Sequence, residues 1–301
     1  MMVETNREVC RMELRTLEYF LAIAQEESIT GAANALHMSQ PGLTRQLKLL
    51  EDELGKQLVI RGNRRLTLTE DGMILRRRAE EIMRLVERTE GEIAHSDDSI
   101  SGDVYLCAGE TEGVHFLTQA AKRLRDRCPD VRFHISSGDT GDVTEELDKG
   151  LIDFGVLFDP IDDTRYQSIP IPYADTWGVL MRKNSPLAKM KSIKATDLSG
   201  QPLITPRGPD HQAVVSQLLG LEPEQINIVG TYSLIFNASL MVADGIGYAI
   251  CLDQILNLTG ESELCFRPFQ PKIEAHMNVV WMRYRTLSRA AAAFLAELQA
   301  N

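Results

Sequence analysis

The chain has 301 residues, of which 44% are hydrophobic and 25% are charged. This composition is typical of globular proteins and excludes a disordered or fibrous chain, while the length favours two or more domains. No stretch approaches the roughly 18 to 20 apolar residues of a membrane span, and the first residues lack the apolar block of a signal peptide. We therefore expect a cytoplasmic protein with no membrane partner.

The positive charges are concentrated in one short region. The formal net charge is −11 at pH 7, which is unfavourable for a protein that binds nucleic acid. However, six Lys and Arg residues lie between positions 45 and 65, and the acidic residues of that region form one clump at 51–53. A locally basic surface is therefore compatible with an acidic chain.

Three helices are predicted at the start of the chain. Apolar residues recur at helical spacing over 15–25, which predicts the first helix. Small residues over 30–37 favour a short second helix that packs closely against its neighbours. In the third helix, Ser39 is suited to the N-cap, Pro41 falls in the first turn where its missing N–H costs little, and Gly55 provides a stop.

The third predicted helix has an apolar face and a polar face. At about 100° per residue, Leu43, Leu47 and Leu50 fall within one narrow sector. The opposite side carries Pro41, Thr44, Arg45 and Lys48. Two short helices followed by such a helix are typical of a recognition helix that enters a DNA major groove, although a solvated charged face gives the same pattern.

A hairpin is predicted after the third helix, from strand-like runs at 58–60 and 66–68. Its tip carries Arg61, Arg64 and Arg65. Arginines at a hairpin tip can reach DNA phosphates or an adjacent minor groove, as the wing of a winged helix-turn-helix does.

The N-terminal region resembles the DNA-binding domain of LysR-type transcriptional regulators almost continuously from Leu17 to Gly72. The most distinctive part is AANALHMSQPGLTRQLKLLEDELGKQL, which spans Ala32 to Leu58. The resemblance implies a winged helix-turn-helix over 12–70 that binds double-stranded DNA. It places Gln40, Pro41, Thr44 and Arg45 at DNA-facing positions, and Arg61, Arg64 and Arg65 at wing positions.

Two features depart from the family pattern. Val59 and Ile60 stand where the family usually has an aromatic residue followed by a polar or acidic one, and we expect only local repacking there. Residues 1–11 precede the usual start of the family, which leaves Met1 and Met12 as alternative initiators.

One long helix is predicted from Glu70 to Ala94, because this segment has no proline and begins with acidic residues that favour the helix dipole. Side chains spaced alternately four and three residues apart form a coiled-coil-like seam. This seam consists of Leu75, Ala79, Ile82, Val86, Thr89 and Ile93. It can pack against a second copy of the chain or against the chain's own body. The resemblance makes 71–101 a dimerisation helix with a hinge and implies a homodimer or homotetramer.

Two α/β lobes are predicted in the rest of the chain. The pattern over 104–158 is βαβαβ, which predicts a parallel sheet with helices on its faces. A second set of strands and helices predicts another lobe at about 174–276, and a final strand and helix over 278–298 are expected to return to the first lobe. Open α/β sheets bind ligands beyond the carboxyl ends of their strands, so a cleft between the lobes is the predicted ligand site.

This half resembles the effector-binding domain of LysR-type regulators over nearly all of 102–301. The motifs that carry the resemblance are GDVYLCAGET from Gly102, RDRCPDVRF from Arg125, ELDKGLIDFGVL from Glu146 and VADGIGYAI from Val242. The implied fold class is therefore a winged helix-turn-helix, a long linker helix and a two-lobed α/β domain like the type 2 periplasmic binding proteins. The implied function is transcriptional regulation controlled by a small-molecule effector, with RNA polymerase as a further possible partner.

Four strand-to-helix loops are expected to line the cleft. They contribute Gly109, Glu110, Thr111, Asp139, Thr140, Thr205, Arg207 and Ser233. Helix N-termini offer unpaired N–H groups, so we expect a small organic acid or an amino acid as the ligand. Arg207 can bind a carboxylate or can be an exposed loop cation, and Glu110 can instead favour a ligand with an amine.

The resemblance puts Gly109, Thr111, Thr140 and Thr205 at or beside effector positions of the family. Gly109 stands where the family often has Ser or Thr, and the missing hydroxyl implies a bulkier ligand or a different anchoring group.

The sequence leaves two other function classes as alternatives. A thiol-based redox regulator would keep the DNA-binding half and use Cys251 and Cys265 as its trigger, although five scattered cysteines without CxxC spacing are expected to be buried and reduced. An enzyme would use Glu110, Asp139 or His211 as acid–base groups, but the sequence lacks GxSxG, P-loop, GxGxxG and HExxH motifs. We expect no enzymatic activity, no cofactor and no metal.

Overall fold

The computed structural model describes residues 12–62, 65–94, 100–208 and 211–300. The chain folds into two compact units, Met1–Ala94 and His95–Asn301. Cys10, Arg64 and most of the predicted hinge lie outside the described residues. Within the described ranges, no helix is both long enough and apolar enough to cross a membrane.

The first unit begins with α1 (Leu14–Glu26), α2 (Ile29–Ala35) and α3 (Gln40–Leu54). The hydroxyl of Ser28 caps α2 by accepting from the Gly31 N–H, and Ser39 caps α3 by accepting from the Gly42 N–H. Gly55 ends α3 with a φ of 63°, a left-handed conformation that suits glycine. The three predicted helices are thus confirmed, with their ends shifted by one or two residues.

A hairpin and a long helix complete the first unit, namely β1 (Val59–Arg61), β2 (Leu66–Leu68) and α4 (Glu70–Ala94). The strands pair antiparallel, with Val59 opposite Leu68. Leu58 and Val59 belong to the core of this unit, whereas Ile60 is 52% exposed. The unusual Val59-Ile60 pair therefore places one apolar residue inside and one at the surface, and the hairpin is intact.

The first lobe of the second unit starts with β3 (Gly102–Ala108), α5 (Val114–Arg127), β4 (Val131–Ser137), α6 (Thr140–Lys149), β5 (Phe154–Phe158) and β6 (Tyr166–Pro170). The first five of these elements confirm the predicted βαβαβ order. Val104, Leu106 and Ala108 of β3 belong to one core, and Cys107 belongs to a second core. This alternation is the period of two that a strand buried on both faces requires.

The second lobe contains β7 (Asp175–Arg182), β8 (Pro202–Pro206), α7 (His211–Leu219), β9 (Asn227–Tyr232), α8 (Ile235–Ala243), β10 (Tyr248–Leu252), β11 (Leu264–Pro268) and β12 (Glu274–Ala275). Its sheet has the order β11-β7-β10-β8-β9, with β12 also paired to β7. Val179 and Met181 of β7 belong to one core and Leu180 to another, so helices and loops cover both faces of this sheet.

The chain returns to the first lobe through β13 (Met277–Met282) and α9 (Arg289–Gln299), as predicted. The first-lobe sheet therefore has the order β4-β3-β5-β13-β6. β3 is parallel to β4 and β5, but β13 is antiparallel to β5 and β6. The parallel sheet predicted for 104–158 is confirmed by β3, β4 and β5, and the strand that returns from the second lobe adds an antiparallel neighbour to it.

The two segments that connect the lobes lie side by side. β12 pairs with the start of β7, where Glu274 is opposite Thr176. The Ile171 N–H donates to the carbonyl of Met277 at 2.9 Å.

The loops after β3 and β4 lie close to those after β8 and β9, because Glu110 contacts Ile235 and Arg207 contacts Asp142. We call the space between these loops the cleft.

Candidate functional sites

One face of α3 is exposed and cationic. Leu43, Leu47 and Leu50 are buried in the first unit, whereas Arg45 and Lys48 are exposed. Neither of these cations forms an ion pair with a described residue. The predicted face is thus available to a polyanion, which is what phosphate and base contacts require.

The first turn of α3 supports this face. Gln40 and Pro41 are exposed, and Thr44 is half-buried. The Thr44 hydroxyl donates to the Gln40 carbonyl at 2.8 Å, and Gln40 Nε2 lies 3.4 Å from the Thr44 oxygen. The Gln40 amide is therefore held beside Thr44 at the helix N-terminus.

The wing is tied to the end of α1. The Leu66 N–H donates to the Glu27 carbonyl at 2.9 Å, and Arg65 Nη1 lies 3.0 Å from Glu27 Oε2. The Arg65 side chain remains 78% exposed. Arg61 belongs to β1, and Arg64 lies outside the described residues. One wing arginine thus already has an intramolecular partner.

The predicted seam of α4 is covered unevenly. Leu75 packs against the core of the first unit, and Ala79 is fully buried within the single chain. The rest of the seam is Ile82 (37% exposed), Val86 (half-buried), Thr89 (exposed) and Ile93 (77% exposed). This corrects the predicted seam, because α1 packs against α4 and the first two seam residues need no second copy to cover them.

Four loops of the second unit meet across the cleft. β3 and β4 are parallel with Ala108 opposite Ser137, so the loops that follow them start side by side. β8 and β9 are likewise parallel, with Pro206 opposite Tyr232. Contacts between the two pairs of loops join Glu110 to the start of α8, and Arg207 to two aspartates of the first lobe.

The chain's own oxygens occupy the helix N-termini of this cleft. Asp139 Oδ1 accepts from the N–H groups of Gly141 at 2.9 Å and Asp142 at 3.0 Å. The Thr111 hydroxyl oxygen accepts from the Gly113 N–H at 2.9 Å. These N–H groups are therefore not open to an anionic ligand, contrary to the sequence-based expectation.

A third helix start is occupied from the opposite lobe. Glu110 Oε2 accepts from the N–H of Ile235, the first residue of α8. A carboxylate at this position is favoured by the partial positive charge of a helix N-terminus. Ser233, just before α8, is exposed.

Arg207 is paired with the opposite lobe. Its Nε lies 3.6 Å from Asp139 Oδ2, and its Nη2 lies 3.3 Å from Asp142 Oδ2. The Asp142 carboxylate also accepts from the Asp139 N–H at 3.0 Å. Neither sequence-based alternative describes Arg207 fully, because its guanidinium bridges the lobes.

Asp175 is a cleft residue that sequence reasoning missed. The Thr111 hydroxyl donates to Asp175 Oδ2, and Asp175 is only 1% exposed. Burial raises the pKa of Asp175, and the hydrogen bond from Thr111 partly opposes that shift. The only sequence signal was an acidic residue at the predicted crossover between lobes.

Two buried oxygens near the cleft lack a well-aligned hydrogen-bond donor among the described residues. They are Asp175 Oδ1 and Thr205 Oγ1. Thr205 is fully buried at the carboxyl end of β8, and Thr140 is exposed in the first turn of α6. Gly109 is half-buried beside the Gly138 carbonyl. Buried polar atoms without a partner are uncommon in folded proteins, which makes these two oxygens candidate ligand contacts.

Cys251 and Cys265 are not placed to form a disulfide. Cys251 on β10 is opposite Gly178 and Cys265 on β11 is opposite Met181, on the two sides of β7. Two strand spacings amount to about 10 Å, which exceeds the separation of about 7 Å that a disulfide can span between Cα atoms. The two thiols also belong to different cores, and burial raises the pKa of Cys251 to about 12.

Comparison with known families agrees with this architecture. The family model described as "Bacterial regulatory helix-turn-helix protein, lysR family" matches residues 14–73, and the "LysR substrate binding domain" matches residues 97–301. The chain belongs to the LysR family of transcriptional regulators. Its first unit therefore carries a LysR-type DNA-binding helix-turn-helix, and its second unit is a LysR-type effector-binding domain.

Individual LysR-family proteins are similar to most or nearly all of this chain. The uncharacterized HTH-type transcriptional regulator YfeR of Shigella flexneri is 27% identical over 93% of this chain and 91% of its own. The transcriptional dual regulator OxyR of Escherichia coli is 26% identical over 64% of this chain and 63% of its own. The crystal structure of the LysR regulator CbnR has a TM-score of 0.73 at 19% identity and covers 96% of this chain and 99% of its own.

These relatives are transcriptional regulators, so the enzyme alternative has no support from them. In the described part of the chain, no group of three His, Cys, Asp or Glu side chains is arranged to hold a metal ion. Of the acid–base candidates, Glu110 and Asp139 are engaged in the contacts given above, and the side chain of His211 is outside the described part of the protein.

Proposed function

We propose that this LysR-family protein binds operator DNA as a homodimer or homotetramer, and that a small molecule in the interlobe cleft controls this binding. α3 and the wing contact the operator, and the exposed end of the α4 seam, from Ile82 to Ile93, joins two copies. The exposed Arg45 and Lys48 support the DNA-binding part. CbnR, which shares this fold, is known in complex with its target DNA.

The contacts across the cleft are the observation that supports control by a ligand. Glu110 joins the first lobe to α8, and Arg207 joins the second lobe to Asp139 and Asp142. A ligand that enters between the lobes must exchange some of these contacts for its own. It therefore has a different affinity for open and closed lobes, which is the condition for shifting a conformational equilibrium.

The proposed effector is a small organic acid or an amino acid. The buried Thr205 hydroxyl and the exposed hydroxyls of Thr140 and Ser233 can each donate to or accept from such a ligand. A compact polar ligand matches loops that place several polar groups within one cleft.

A metabolite screen with the full chain tests this function. We expect at least one small acid or amino acid to raise the melting temperature and to change the affinity for operator DNA. A ligand at 100 times its dissociation constant adds about 2.7 kcal/mol to the stability of the folded state. Thr205→Val should lower the affinity for that ligand. Thr118→Val, which removes an exposed hydroxyl on α5, should leave the affinity unchanged.

Equal ligand affinity in wild type and Thr205→Val would place the ligand elsewhere. A ligand that binds without changing the affinity for operator DNA would contradict the proposed control of DNA binding by the ligand.

A redox-responsive regulator is the second candidate, because OxyR is among the relatives. In this chain, however, the proposed trigger thiols lie on opposite faces of the sheet and on opposite sides of β7. A disulfide between them would require the sheet to be rebuilt. We therefore favour the small-molecule effector.

A further inference from the structure

The cleft has spare hydrogen-bond acceptors that carry charge. Glu110 uses Oε2 to accept from the Ile235 N–H, and no donor of the described residues contacts its Oε1. Asp175 Oδ1 is buried without a well-aligned donor among the described residues, and the Glu112 N–H lies close enough to lower the pKa of this carboxyl group. Both atoms belong to carboxyl groups on or beside the same loop, because Thr111 follows Glu110 and donates to Asp175.

Among the described residues, the cleft has no spare charged donor to match these acceptors. Arg207 is the cation that contacts the cleft loops, and Asp139 and Asp142 already share its guanidinium. The N–H groups at the starts of α5, α6 and α8 that the sequence offered to an anion are also occupied. Thr140, Thr205 and Ser233 offer hydroxyls, which are neutral.

The side chains that line the cleft have a negative net charge. Arg207 contacts Asp139 and Asp142, whereas Glu110 contacts the Ile235 N–H. These three carboxylates therefore exceed the one guanidinium by two negative charges, even if Asp175 is protonated. An anionic ligand would add a further negative charge to a space that loses water when the lobes close around it. Like charges at short distance in a desolvated site are strongly unfavourable, and an unpaired carboxylate needs a cation or hydrogen-bond donors.

We propose that the effector carries a cationic nitrogen, which donates to Glu110 Oε1 and the Asp175 carboxyl group. This inference rests on the proposed function and narrows it, because it selects amino acids or amines over organic acids without nitrogen. Glu110 then has two roles, since one oxygen holds α8 across the cleft and the other binds the ligand. The Thr205 hydroxyl supplies a neutral contact on the second lobe.

Matched compounds separate the contribution of the amine from that of the carboxylate. For a set of common side chains, the panel contains the amino acid, the 2-hydroxy acid that lacks its ammonium group, and the amine that lacks its carboxylate. The binding of each compound to the full chain is measured by thermal shift and then by calorimetry. We expect stabilisation by amino acids or amines, and none by the 2-hydroxy acid of the same side chain.

Two variants locate the cationic group. Glu110→Gln keeps an oxygen that can accept from the Ile235 N–H but removes the charge. It should therefore lower the affinity for the best nitrogen-bearing compound by roughly tenfold to a hundredfold. Asp126→Asn on α5 is the control, because the native carboxylate lies 2.8 Å from Lys122 Nζ and is not among the groups that shift the pKa of Asp175. It should change the affinity by less than about twofold.

The outcomes distinguish this inference from the proposed function. Stabilisation by 2-hydroxy acids alone would overturn the cationic ligand but keep a cleft effector. Equal affinity of wild type and Glu110→Gln for an amine would also overturn it. If no member of the three series binds, both the inference and the proposed effector class are wrong. The melting temperature of unliganded Glu110→Gln shows whether the variant folds, and Asp175→Asn provides a second variant with the same expected direction.

Discussion

The charged side chains of the two units differ in whether they have partners within the chain. On α3, Arg45 and Lys48 are exposed and form no ion pair with a described residue. In the cleft, Arg207 is bound to two carboxylates, and Glu110 is bound to a helix start. The first arrangement is suited to recruiting a partner from outside, whereas the second is suited to exchanging internal contacts for those of a ligand.

The same contrast applies to apolar groups. The C-terminal part of the α4 seam leaves Ile93 77% exposed in a single chain, while each lobe of the second unit encloses its own cores. Exposed apolar residues at coiled-coil spacing favour association, and enclosed cores favour independent folding. We therefore expect changes in the first unit to affect intermolecular binding, and changes in the second unit to affect stability and response.

The largest effect is expected for Ile82→Glu combined with Val86→Glu. If two copies meet along this part of α4, four carboxylates are brought together at an apolar interface, and the association free energy falls by something on the order of 3 kcal/mol or more. Sedimentation velocity should then show a monomer at concentrations where the wild type is a dimer or tetramer. The variant with Leu at both positions should remain associated. Unaltered dimers in the Glu variant would remove α4 as the interface.

A smaller effect is expected for Arg45→Ala in operator binding. If the guanidinium reads a base edge, its loss should weaken operator binding by about 1 to 3 kcal/mol and random DNA much less. Fluorescence anisotropy with both DNAs measures the difference. Lys56→Ala is the control, because Lys56 already lies 3.5 Å from Asp71. Equal losses on operator and random DNA would mean that Arg45 contacts only phosphate.

Arg65→Ala tests the role of the wing in the same unit. Arg65 is 78% exposed and paired with Glu27, so it is suited to phosphate contact rather than base reading. We expect a loss of up to about 1 kcal/mol that is similar on operator and random DNA, and a lower salt dependence of binding. A loss confined to the operator would assign Arg65 to base recognition.

In the second unit, Asp175→Asn should raise the melting temperature by a few degrees at pH 7. Burial raises the folded-state pKa of Asp175, so the folded chain holds this proton more tightly than the unfolded chain does. Ionisation therefore lowers stability as pH rises above the unfolded pKa of about 3.9, and the loss becomes constant above the folded pKa. The difference in melting temperature between variant and wild type should grow from pH 4 to pH 7.

Asn at this position can still accept the hydrogen bond from the Thr111 hydroxyl, which makes it a conservative replacement. A difference that is the same at both pH values would show that packing, not ionisation, causes the effect.

The smallest effect is expected for Cys251→Ala combined with Cys265→Ala. Since the two thiols are separated by β7, they should not mediate a response to peroxide. We expect peroxide to change operator affinity by less than about twofold in both wild type and variant. A peroxide response in the wild type that the variant lacks would restore the redox hypothesis.

The sequence alone determined the elements whose signals are local. The helical spacing of Leu43, Leu47 and Leu50 and the cap at Ser39 specify the ends of α3 to within one or two residues. Strand alternation and chain order likewise predicted the two lobes and the return of β13 to the first sheet. These signals depend on residues a few positions apart, so they can be read before the chain is folded.

The partners of the polar groups in the cleft depend on contacts between distant segments of the chain. Glu110 meets Ile235, and Arg207 meets Asp142, across separations of 125 and 65 residues. The sequence identified Glu110, Asp139 and Arg207 as cleft residues, but it left their helix N-termini and charges open to a ligand. It likewise identified the α4 seam, but not that the residues before Ile82 are covered within the chain and that Ile82 and later residues are more exposed. Pairing between distant segments depends on the relative positions of strands and lobes, which no local pattern encodes.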